Sequence, residues 1–152
     1  MQPQRLRWIY TDCPVYFLTA CTHARHATLA NARIHQAFRR FAATAPEHHV
    51  QVGRYVIMPD HLHLFAAFTP VSPSISEWVK GLKRALVEEL KRTGARAPYW
   101  QKGFFDHVLK SEESYGQKWS YVRDNPVRAG LVPRAEDWPY QGEIHRLLFR
   151  NL

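Results

Sequence analysis

Two apolar runs, Val50 to Met58 and His61 to Phe68, are separated by nothing but Pro59 and Asp60. A Pro-Asp break of two residues suits a reversal of direction, so the pair predicts an antiparallel β-hairpin. Along the second strand, side chains alternate between faces. Leu62, Leu64 and Ala66 then share one face, and His61 and His63 share the other. Two imidazoles side by side on a rigid strand make half of a metal site. The pattern alone is weak, because 9 histidines among 152 residues give about half an H-x-H by chance.

The flanking segments set the hairpin in a larger order. Val15 to Thr22 is rich in aromatic and β-branched residues and reads as a strand. Asn31 caps a predicted helix through ARIHQAFRRFAATA, with Ile34, Ala37, Phe38 and Phe41 as its apolar stripe and Pro46 as its stop. After the hairpin, ISEWVKGLKRALVEELKRTG places Ile75, Val79, Leu82, Leu86 and Leu90 on one stripe, and Gly94 ends it. Phe104 to Lys110 predicts a short strand. Ser111 caps a further helix, EESYGQKWSYVRDN, limited by Pro126. Beyond Pro133 an irregular segment is expected. The order β-α-β-β-α-β-α predicts an α+β fold, a ferredoxin-like split βαβ with helices packed on an antiparallel sheet. The strand bearing His61 and His63 is expected at its centre, within a single domain over residues 1–152.

Charge narrows the class of partner. With 21 Lys and Arg against 13 Asp and Glu, the chain carries a formal charge of +8, which favours a polyanion, most commonly nucleic acid. Solubility alone also accounts for such a charge. Lys80, Arg84 and Lys91 lie opposite the apolar stripe of their helix, where a solvated face and a phosphate-tracking face remain equal alternatives. No apolar run approaches the roughly 20 residues of a membrane span. The N-terminus lacks the pattern of a secretory signal, so a cytoplasmic location is expected. Cys13 and Cys21 have neither CxxC nor zinc-finger spacing and read as reduced thiols.

The last predicted helix carries a possible second half of a site. Tyr115, Trp119 and Val122 form its core-facing stripe, and Tyr121 sits about 120° round from it. Tyr121 and Asn125, spaced i and i+4, project together on a continuous helix. Off the stripe, Tyr121 is either an ordinary surface residue or a placed reagent.

YVIMPDHLHLF and WSYVRDNPVRAGLV resemble segments of the single-tyrosine HUH transposases, and their spacing most resembles that of the REP-associated tyrosine transposases. WQKGFFDHVLKSEE is similar to the connector before the tyrosine helix, so the resemblance runs from about Val15 to Val132. It implies His61 and His63 as metal ligands within the HUH motif, Asn125 as a third, and Tyr121 as the nucleophile. The implied cofactor is a divalent metal, Mg²⁺ or Mn²⁺. The implied activity is that of a single-strand DNA endonuclease and strand transferase, forming a 5′-phosphotyrosine and a free 3′-OH on hairpin DNA such as a bacterial REP element. A phenol is a weak nucleophile at neutral pH, and Lys118 and Arg123 are candidates to assist it. Arg5, Arg7, Lys80, Lys83 and Arg84 are candidates to neutralise phosphates, and Trp8 to stack on bases. A nucleoid-associated bacterial protein, monomeric or homodimeric, would follow. Two other readings stay open. A non-catalytic DNA- or RNA-binding domain of the same fold gives His61, His63, Tyr121 and Asn125 no joint task. A zinc hydrolase would use water and have no need of Tyr121.

Overall fold

A computed structural model describes residues 7–11 and 14–149. Five strands form one sheet in the order β5-β2-β4-β3-β6. They are β2 (Val15–Cys21), β3 (Val50–Ile57), β4 (His61–Phe68), β5 (Phe105–Leu109) and β6 (Gln141–Glu143). Every pairing within this sheet is antiparallel. With α1 (Ala32–Ala43) between β2 and β3, and α2 (Ile75–Arg92) between β4 and β5, the first four strands form the expected split βαβ. The hairpin strand β4 lies in the middle of the five.

Alternation along β4 divides the molecule into two cores. Leu62, Leu64, Ala66 and Phe68 join Ile34, Ala37 and Phe38 of α1 and Trp78, Val79, Leu82, Leu86 and Leu90 of α2. On the other face, Phe65 and Ala67 meet Val15, Phe17, Leu109 and two residues of α3 (Glu112–Arg123), Tyr115 and Val122. The caps expected at Asn31 and Ser111 form, and the structure adds one at Ser74. Asn31 Oδ1, Ser74 Oγ and Ser111 Oγ accept from the backbone N–H groups of Ile34, Glu77 and Ser114, at 3.0, 3.1 and 3.1 Å.

A break in the sheet explains how α3 is anchored. The β3–β4 register shifts between Val52 and Tyr55, and the backbone N–H of Arg54 donates to Tyr115 Oη at 3.1 Å. At Gly53 a Cβ would lie 2.6 Å from that hydroxyl, so glycine permits the close approach.

Two expectations need correction. The C-terminal segment is not irregular. β6 pairs with β3, and β7 (His145–Phe149) runs parallel to β1 (Arg7–Thr11) in a separate two-stranded sheet. These strands are too short for periodicity to declare them, and long-range pairing builds them. Nor does the tyrosine helix reach Asn125. It ends at Arg123, Asp124 caps it, and Asn125–Arg128 forms a separate turn, α4. Pro126 sits in the first turn of α4, where its missing N–H removes no helical bond. No described helix is long and apolar enough to cross a membrane.

Candidate functional site

The turn that begins β4 is pinned from three sides. Met58 N–H donates to the carbonyl of His61 at 2.8 Å, Leu29 N–H to that of Pro59 at 2.9 Å, and Thr22 N–H to that of Asp60 at 3.0 Å. His61 and His63 emerge from it on one face, with ring centroids 4.6 Å apart, as the alternation predicts.

Each imidazole is held through Nδ1. The Nδ1 of His63 bonds Thr19 Oγ1 at 2.8 Å across the β2–β4 register, and its ring stacks on Phe17 at 5.0 Å. The Nδ1 of His61 bonds Asp60 Oδ1 at 2.7 Å. Arg25 Nε donates to Asp60 Oδ2 at 2.9 Å, and its Nη1 reaches Cys21 Sγ at 3.1 Å. To bring Arg25 there, the backbone takes left-handed φ values of 52° at Ala24 and 56° at Arg25, unusual for residues with a Cβ. Burial pushes the His61 pKa down despite its carboxylate neighbour. Burial works against the Asp60 charge, but bonds from His61 and Arg25 hold that carboxyl below its ordinary value. The pair is therefore best read as a neutral imidazole donating Nδ1–H to a carboxylate. Arg25 Nη2, 3.3 Å from the same Nδ1, is then a contact rather than a donor. Holding Nδ1 in this way orients Nε2 for a ligand.

His63 is more strongly perturbed. Burial, and then the charges of His61, Lys118, Arg25 and Arg128, push it from 6.5 down to about 3. A depressed histidine favours the fold where the ring is neutral. As pH falls below 6.5 the unfolded chain takes up the proton first, and stability declines until about pH 3. We expect denaturant midpoints in chelator-containing buffer to fall across that window by more in the wild type than in His63→Phe. Equal slopes would show that this ring is not held neutral by the fold.

Tyr121 is 61% exposed, off the buried stripe of Tyr115 and Val122. Two cations flank its ring: the Arg128 guanidinium carbon 4.0 Å from the centroid and Lys118 Nζ at 5.9 Å. Lys118 Nζ also lies 4.8 Å over Phe17, the ring on which His63 stacks. A continuous path, His63–Phe17–Lys118–Tyr121–Arg128, thus joins sheet to helix. Arg128 Nη2 donates to the carbonyl of Tyr121 at 2.7 Å and, in a short contact, to Asn125 Oδ1.

The imidazole pair fits a divalent ion. Both rings are oriented from behind, and His63 is neutral at physiological pH. The amide oxygen of Asn125 is engaged by Arg128 instead, and among the described residues no three His, Cys, Asp or Glu side chains gather as a ligand set.

The remaining candidates are dispersed. Arg5 lies outside the described residues, as do the side chains of Arg7 and Trp8 in β1. Lys80 and Arg84 are exposed on α2, which packs on the opposite face of the sheet from the histidines. Lys83 is tied down, its ammonium donating to the carbonyls of Gln101 at 2.9 Å and Gly103 at 2.5 Å. Arg123 is exposed at the end of α3. Sequence reasoning missed Thr19, Arg25, Asp60 and Arg128. Of these only Asp60, beside His61, and Arg128, one turn beyond Asn125, stood close enough along the chain to be suspected.

Fold and side chains together define an α+β sheet protein with an imidazole pair and a cation-flanked tyrosine on one side. The family follows from comparison. Residues 13–124 match the model of the family described as Transposase IS200 like, and the chain belongs to that family. The REP-associated tyrosine transposase of Escherichia coli K12 is 20% identical over 146 residues, covering 96% of this chain and 86% of that protein. A Haemophilus influenzae relative is 23% identical over 147 residues, covering 90% of this chain and 83% of its own. The solved structure of a REP-associated tyrosine transposase bound to a REP hairpin superposes with a TM-score of 0.71 at 20% identity, over 93% of this chain and 82% of that one.

Proposed function

We propose that the protein is a metal-dependent single-strand DNA endonuclease and strand transferase, acting on REP-like hairpin DNA through a 5′-phosphotyrosine. The observation that carries this reading is the exposed Tyr121, set between Lys118 and Arg128 and linked through Phe17 to His63. Membership of the transposase family supports it, and the hairpin bound by the structural relative suggests the substrate.

His61 and His63 would hold Mg²⁺ or Mn²⁺, with Asn125 as third donor once its oxygen turns from Arg128. When bound, such an ion polarises the scissile phosphate and stabilises the leaving oxygen. Tyr121 Oη attacks phosphorus, the P–O3′ bond breaks, and the strand leaves with a free 3′-OH. The phenol gives its proton to solvent and the leaving 3′ oxygen takes one up from solvent, while Lys118 and Arg128 stabilise the phenolate in between. The phosphotyrosine retains the ester, so attack by a 3′-OH rejoins DNA and restores the phenol. The direct test is incubation with a labelled hairpin oligonucleotide and Mn²⁺, followed by denaturing electrophoresis. A protein–DNA adduct is expected, and binding without an adduct would leave a non-catalytic DNA-binding domain.

Placement of the cations gives a second expectation. For an unstructured oligonucleotide, Lys118→Ala should reduce the slope of log affinity against log salt by about 0.7, one lost single-strand phosphate contact. Lys80→Ala with Arg84→Ala should leave it unchanged, because α2 lies across the sheet. A slope lowered by that pair would bring the single strand to α2.

A further inference from the structure

Beside the imidazole pair, on the side away from β3, a cavity of about 160 Å³ lies between β2 and the connector that follows α2. Thr19 and Cys21 line it from the sheet, and Gln101, Lys102, Gly103 and Phe105 from the connector and β5. Strand register ties it to the site. His63 aligns with Thr19, and Thr19 with Phe105, so one row runs from the histidine across β2 to the sheet edge. Thr19, whose hydroxyl bonds His63, is thus shared by the imidazole site and the cavity wall.

The connector wall is held firmly. Gln101 N–H donates to the carbonyl of Cys21 at 2.9 Å, and Lys83 grips the carbonyls of Gln101 and Gly103. Gly103 takes a φ of +81°, a turn that a residue with a Cβ would adopt only under strain. This accounts for Lys83, which the reaction does not use. At the rim, Phe105 is 67% exposed although it is a strand residue, and Lys102 is exposed beside it. A rigid recess with a bare aromatic ring and a cation at its mouth suits a flat heterocycle attached to a phosphate.

The geometry points to this cavity as the seat of one unpaired nucleobase of the DNA strand, stacked on Phe105, with its phosphate near Lys102. The inference rests on the nuclease reading and deepens it. The base would be held one strand away from His63, and its nucleotide would set which phosphate reaches Tyr121. Because every base has a stacking face, the seat selects for unpaired structure more than for sequence.

The test is made in a Tyr121→Phe background, so that binding is read without cleavage. Unpaired nucleotides flanking a labelled hairpin are replaced one at a time by abasic sites, and affinity is measured by fluorescence anisotropy. One position is expected to lose affinity by roughly tenfold, the scale of a single base–aromatic stack. Phe105→Ala should weaken the intact oligonucleotide by a similar factor and erase the penalty at that position, and Phe105→Trp should restore both. Phe105→Ala binding every oligonucleotide like its parent, or retaining the same abasic penalty, would overturn the assignment. Adduct formation by the protein with Tyr121 intact is scored separately. An adduct without any role for Phe105 removes the base seat and leaves the nuclease, whereas base dependence without an adduct does the reverse.

Discussion

Tyr121→Phe should abolish the covalent protein–DNA adduct while leaving the fold and DNA affinity in place. The substitution removes one hydroxyl from a ring that is 61% exposed, and surface changes of this kind stay within about 0.5 kcal/mol of wild-type stability. The ring keeps its place between Lys118 and Arg128, since attraction to a cation needs the aromatic face and not the hydroxyl. What is lost is the only oxygen on this side chain able to attack phosphorus. Tyr115→Phe is the internal control. Its hydroxyl accepts from Arg54 N–H within the core, so that change should cost about 1 kcal/mol of stability and keep the adduct. A Tyr121→Phe protein that still forms the adduct would transfer the nucleophile to another residue.

His61→Ala is expected to lower the rate of adduct formation at fixed Mn²⁺ by about 100-fold or more. Loss of an outer partner that merely orients a metal ligand already costs about 10–100-fold in metal affinity or activity, and this change removes the ligand. Because the defect lies in holding the ion, raising Mn²⁺ should restore part of the rate, whereas no concentration restores Tyr121→Phe. Asp60→Asn grades the same effect. It keeps a side-chain oxygen near His61 Nδ1 but removes the charge that Arg25 also grips, so calorimetric Mn²⁺ affinity should fall by about tenfold. His61→Ala with an undiminished rate and unchanged Mn²⁺ binding would remove the imidazole pair from the reaction.

Much of this arrangement was legible in the chain itself, and its reach ended where local geometry ends. A strand has period two and a helix turns 100° per residue. Those numbers are properties of the backbone, so His61 and His63 on one face, Tyr121 off the stripe of Tyr115 and Val122, and the caps at Asn31 and Ser111 could all be read without a partner in view. Tertiary structure decided what those side chains meet. Thr19 and His63 are 44 residues apart and face each other only because of the β2–β4 register. Arg25 reaches Asp60 through two left-handed residues that no composition announces. Lys83 looked like any other cation on a basic helix, yet the connector offers it two carbonyls and fixes it as a brace. Asn125 was placed by extending a helix that stops two residues earlier, and Arg128 now holds its amide. β6 and β7 are three and five residues long. Strands so short carry almost no periodic signal and exist because β3 and β1 supply the hydrogen bonds they complete.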